Sequence, residues 1–126
     1  MTQEALAYIN GRLKGVGIPY AFLEWEDEIP ETYFVGSYIE TDSLTREENG
    51  KEDSVFILRG YSRAKDWMEV LENAKKKIRK ALSVTDLLHD GSGIALFYEN
   101  GEYISTLDAD WHSIKININV QEWRVD

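Results

Sequence analysis

Asp108, Asp110 and His112 fall within five residues, in the stretch DADWH, and all three side chains can ligate a metal ion. In an extended segment, side chains repeat every two residues, so the three would share one face. The chemistry would then be metal-assisted hydrolysis. The same two aspartates can instead accept from nearby backbone N–H groups and form a turn, with Trp111 plugging the edge of the core. No second cluster of histidines or carboxylates stands out to complete a metal site. The turn is therefore the expected reading, and no metal is expected.

Other candidates for chemistry are weaker. His89 and Asp90 sit beside Gly91 and could pair as acid and base, but a histidine in a turn is more often exposed. Ser62, Ser92, Ser105 and Ser113 have no G-x-S-x-G setting, and neither a P-loop nor G-x-G-x-x-G occurs. Glu24, Glu26, Asp27 and Glu28 surround Trp25 and could supply paired carboxylates, though a surface turn explains them as well. The sequence thus offers no convincing active site, and no cofactor is expected. The aromatics point elsewhere. Tyr20, Phe22 and Trp25 cluster, as do Tyr33, Phe34 and Tyr38, and both strand parities are then aromatic or apolar. Either some of them meet a partner, because Tyr and Trp are favoured at interfaces, or the sheet is buried on both faces, by helices on one and strands on the other.

The composition narrows the function classes. The chain of 126 residues is 43% hydrophobic with a net charge of -9, which suits a single domain, residues 1–126, with a genuine core. An excess of carboxylates repels phosphate backbones, so direct nucleic-acid binding is not expected. The one dense basic run is Lys75, Lys76, Lys77, Arg79 and Lys80. The chain has no cysteine, which excludes disulfides and thiolate chemistry. No run approaches the roughly 20 apolar residues of a membrane span, and no signal-peptide core is visible. The chain is expected to be soluble and intracellular at synthesis.

The elements that must position these residues follow from the patterning. Thr2 caps a first helix carrying Ala5, Ile9 and Leu13 on one face, and Gly15 and Gly17 end it. Strands are predicted over 20–25, 31–43 and 54–62, with Gly36 marking a bulge or a close backbone approach. The polar run 44–53 reads as the tip of a long hairpin. Ser62 or Asp66 caps a second helix reaching Leu82, with Trp67, Val70, Leu71, Ala74, Ile78 and Leu82 as its apolar stripe. Its acidic start and basic end suit the helix macrodipole. Residues 84–93 read as a connection with a short helical turn. Asn100-Gly101 predicts a tight hairpin between strands 94–98 and 103–107. Ile114, Ile116, Ile118 and Val120 alternate with polar residues in a final strand, and Trp123 and Val125 break the parity, which predicts a bulge or a change of partner after Val120. The predicted order is α-β-β-β-α-β-β-β, an α+β fold whose mixed, mainly antiparallel sheet packs on two helices.

This order, and above all the strand-to-helix passage RGYSRAKDWMEVLENAKKKIRKAL, resembles the tail-terminator (tail-completion) proteins of long-tailed phages and prophages. The likeness covers almost the whole chain and lies in order and spacing. The resemblance implies a mixed sheet on two helices and a non-enzymatic subunit that forms a hexameric ring on the end of the tail tube. The ring stops tube polymerisation and prepares head–tail joining. Implied partners are the chain itself, the tail tube protein and head–tail connector proteins. The implied setting is the host bacterial cytoplasm during assembly and then the virion tail. The hairpin tip, about Thr41 to Asp53, would contact neighbouring subunits. Opposite charge suggests that Glu47, Glu48, Glu52 and Asp53 meet Lys75, Lys76 and Lys80 across the subunit interface. The alternatives are a head-side phage connector protein or a small intracellular ligand-binding or regulatory domain, which would need a deep apolar pocket.

Overall fold

A computed structural model describes residues 1–41 and 52–124. Helix α1 (Gln3–Val16) is followed by β1 (Tyr20–Phe22), β2 (Thr32–Thr41) and β3 (Glu52–Ser62). Helix α2 (Trp67–Ala81) then leads to β4 (Val84–Leu87), β5 (Gly93–Ile104) and β6 (His112–Trp123). The strands form one sheet in the order β1-β2-β3-β6-β5-β4. Only β1 with β2 is parallel, and the other pairs are antiparallel.

Both helices pack on one face of this sheet. Ala5, Ile9 and Leu13 of α1 and Leu71, Ala74 and Ile78 of α2 share a core with Phe34, Phe56, Leu58, Ile114, Ile116 and Ile118. The alternation of β6 is the clearest sequence signal of this arrangement, since its isoleucines point inward and its asparagines outward. The start of α1 is set as expected: Thr2 Oγ1 accepts from Ala5 N at 3.1 Å. At its end Gly17 takes the left-handed conformation that glycine adopts without a Cβ penalty, with φ of 83°. Helix α1 is also tied to the sheet by Glu122, a buried carboxylate that accepts from Thr2 Oγ1 at 2.6 Å.

The order of element types agrees with expectation, but two of the six strands are different ones. Residues 84–87 form strand β4, where a connection with a helical turn was expected. The runs 94–98 and 103–107 do not form a hairpin around Asn100-Gly101. They belong mostly to one long strand, β5, which pairs with β6 along its length and absorbs an extra residue between Tyr98 and Asn100 as a bulge. The long partner strand supplies more ladder hydrogen bonds than a local turn could, and tertiary pairing overrides the Asn-Gly signal. The true hairpin turn is 88–92, where Leu88 N donates to Ser92 O and Ser92 N donates to the Asp90 carboxylate. Nor does β6 bulge after Val120: Glu122 keeps the inward parity, and Trp123 lies outward over Gly93. Gly36 forms no bulge, and it makes room for side chains rather than for backbone, since a Cβ there would lie 2.6 Å from the Phe56 ring and 2.7 Å from the Tyr20 hydroxyl.

Candidate interaction surface

The face of the sheet opposite the helices is covered by no other described element. Tyr33, Val35, Val55, Ile57 and Tyr61 lie on it half-buried, and Ile39 and Phe97 are exposed. At the end of the sheet where β2 and β6 begin and β3 stops, four aromatics gather on this face. Tyr33 stacks on Tyr61 at 5.1 Å, packs against Trp25 at 5.4 Å and meets the edge of Trp111 at 5.6 Å. The Arg63 guanidinium lies 5.3 Å from the Trp111 ring. Trp25 is held by its own turn, its Nε1 donating to Glu28 O at 3.1 Å. Aromatic residues with an arginine are the composition of an interface anchor. Leu107 and Ile29 add exposed apolar surface in the neighbouring loops.

The sequence foretold Trp25 and Tyr33 as candidates for a partner but not Tyr61, Arg63 or Trp111. Their signal lies in register. Tyr33 pairs with Tyr61, and Tyr61 with Ser113, so the three strands bring distant residues to one end of the sheet.

Asp108, Asp110 and His112 do not form a site. The Asp108 carboxylate accepts from Asp110 N at 2.9 Å, and the Asp108 carbonyl accepts from Trp111 N, so the stretch is a turn as expected, with Asp108 as its side-chain acceptor and Asp110 contributing its backbone N–H. His112 turns to the helix side and stacks flat on Trp67 at 3.8 Å. Among the described residues, no three His, Asp or Glu side chains are placed to hold a metal ion. His89 is exposed in the β4–β5 turn.

The lysines expected at an interface occupy the last half of α2. Lys75 is engaged locally, its Nζ 2.9 Å from Glu72. Lys76, Lys77 and Lys80 are exposed and form no ion pair among the described residues. Arg79 lies over the Tyr98 ring at 5.0 Å. Beside it an open cleft of about 330 Å³ is lined by Val84, Leu96, Phe97 and Tyr98. Of the acidic partners expected for these lysines, Glu47 and Glu48 lie outside the described residues, as does most of the hairpin tip. Glu52 and Asp53 belong to β3, Asp53 pairing with Thr41.

Two hydroxyls carry a testable pH dependence. Burial, and then the hydrogen bond to Glu72, raises the Tyr103 pKa well above its ordinary value. Tyr20 is raised likewise by burial, and its hydroxyl donates to Asn10 Oδ1 at 2.6 Å. The Tyr103 hydroxyl, then Lys75, holds Glu72 below the usual carboxylate range. The folded protein keeps both tyrosine protons more tightly than the unfolded chain does. Stability from them is therefore full below the ordinary tyrosine value of 10.0 and is lost as pH rises beyond it. Urea midpoints measured from about pH 8 to about pH 12 should fall on the alkaline side, and Tyr20→Phe should flatten that fall. A midpoint independent of pH there would show that neither hydroxyl is held as described.

No family model matches this chain, and no curated protein matches it in sequence. Solved structures do match in fold. One, a chain that carries no functional description, aligns over 100% of this chain and 99% of its own length, with a TM-score of 0.73 and 14% identity. Another is a chain of the virion of a native gene transfer agent particle, aligned over 98% of this chain and 100% of its own length, with a TM-score of 0.72 and 12% identity. This chain is therefore similar, across its whole length, to a fold that a virion component also uses.

Proposed function

We propose that this chain is a structural protein of a phage-like virion that caps the tail tube as a hexameric ring, ends tube polymerisation and prepares head–tail joining. The observation that carries this reading is the end-to-end fold likeness to a chain of a gene transfer agent virion. The open sheet face and its aromatic end support it, because an assembly subunit needs apolar surface that only a partner covers. The acidic charge supports it too. A net charge of -9 keeps free subunits apart until a tube end collects them. In this reading the protein is not catalytic and uses no cofactor. Its partners are further copies of itself, the tube protein and the head–tail connector proteins. It works in the host bacterial cytoplasm during assembly and then in the virion tail. Among the described residues, no helix is long and apolar enough to cross a membrane.

The test is mass in solution by light scattering over a wide concentration range, with negative-stain imaging of the large species. Closed rings of six subunits with a central hole are expected. A compact dimer that persists at every concentration would point to a different assembly.

A further inference from the structure

We propose that a second copy of this chain docks edge to edge, its basic α2 end seated on the aromatic end of the first copy's open sheet face. This rests on the ring reading above and names the two surfaces that would meet.

The acidic connection leaves one edge strand of the sheet, and the basic helix end runs into the other. Strands β1 and β4 are the sheet's two edges. Residues 23–31 connect edge strand β1 to β2 and carry Trp25 into the aromatic cluster with Tyr33, Tyr61 and Trp111. Helix α2 ends beside the other edge, running through Leu82 and Ser83 into β4. Two different patches are what a closed head-to-tail assembly requires.

Charge selects the occupant. Glu24, Glu26, Asp27, Glu28 and Glu31 line the connection, which contains no basic residue. The complementary run, residues 75–80, carries Lys75, Lys76, Lys77, Arg79 and Lys80 and no acidic residue. The carboxylates of the connection and the ammonium groups of Lys76, Lys77 and Lys80 are exposed and make no ion pair within the subunit, among the described residues. In a chain this acidic, the densest cationic surface available to that edge belongs to another copy. Apolar anchoring is available on both sides. Ile29 stands exposed in the acidic connection, and the open cleft lined by Val84, Leu96 and Phe97 adjoins the basic helix end. In this pairing the lysines meet the carboxylates of the 24–31 connection.

A charge swap tests this by sedimentation across a concentration series. Lys76→Glu with Lys80→Glu, and separately Glu26→Lys with Glu28→Lys, should each raise the concentration needed for association by about tenfold or more. All four together should return it to within about threefold of the parent. Lys65→Glu with Arg124→Glu changes net charge as much as the lysine reversal does and should leave association nearly unchanged. These positions are exposed, and unchanged urea midpoints would show that every variant folds. Association without rescue by the fourfold variant overturns the pairing, even where imaging shows rings. Rescue within chains or dimers that never close would uphold the pairing and sink the ring. A parent protein that stays monomeric at every concentration overturns docking of a second copy.

Discussion

Phe56→Ala lowers the free energy of unfolding by about 3–5 kcal/mol, read from urea unfolding. Phe56 is fully buried at the middle of β3, between Tyr38 of β2 and Ile118 of β6 in register. Its ring stacks on Phe22 at 6.5 Å and fills the space that Gly36 leaves without a side chain. Truncation removes apolar burial and leaves a cavity that the packed helices above cannot collapse into. It also removes the support beneath β1, a strand of three residues that carries the chain into the acidic connection. The variant should therefore associate less readily than its loss of stability alone predicts. A change below about 1 kcal/mol would show that Phe56 is not packed as described.

Gly60→Ala destabilises by about 1–3 kcal/mol, the range for forcing an extra carbon into a packed core. Gly60 pairs with Phe34 across β2 and β3, and the Phe34 ring lies over it. A Cβ on Gly60 would stand 2.2 Å from that ring, and Phe34 is fully buried, with no free volume to move into. Gly93 provides the comparison. A Cβ there would lie 2.0 Å from Trp123, but that indole is half-exposed at the end of β6 and can swing outward. Gly93→Ala should therefore cost clearly less than Gly60→Ala, although its nominal contact is shorter. Equal losses at the two sites would mean that the neighbour's freedom does not decide the outcome.

The contrast between these glycines also explains what the sequence made legible. Local signals worked where a single segment determines the answer. The Thr2 cap, the Gly17 stop, the stripe of α2 and the alternation of β6 depend only on neighbours three or four residues apart or on every second residue. They failed where distant partners decide. Asn100-Gly101 carries a strong turn signal, yet β6 holds both sides of it in one ladder. Val84 to Leu87 lacks a distinct strand pattern because three of its four residues are exposed, and it becomes a strand by pairing with β5 at the sheet edge. The aromatic end of the open face is assembled the same way. Trp25, Tyr33, Tyr61 and Trp111 come from four parts of the chain: strand register pairs Tyr33 with Tyr61, and the β1–β2 connection and the turn before β6 bring the two tryptophans to them. Asp108, suggestive of chemistry beside Asp110 and His112, needed nothing more than the neighbouring backbone N–H of Asp110 to engage its carboxylate.

The proposed role at the end of a tail tube is best probed by inactivating the gene in the genome that carries it. The particles released would be imaged by electron microscopy. Tubes of unregulated length, unjoined to heads, are the predicted result. Tails of normal length joined to filled heads would contradict the account. Tails of normal length lying free beside filled heads would also contradict it, and would place the protein on the head side of the joint instead.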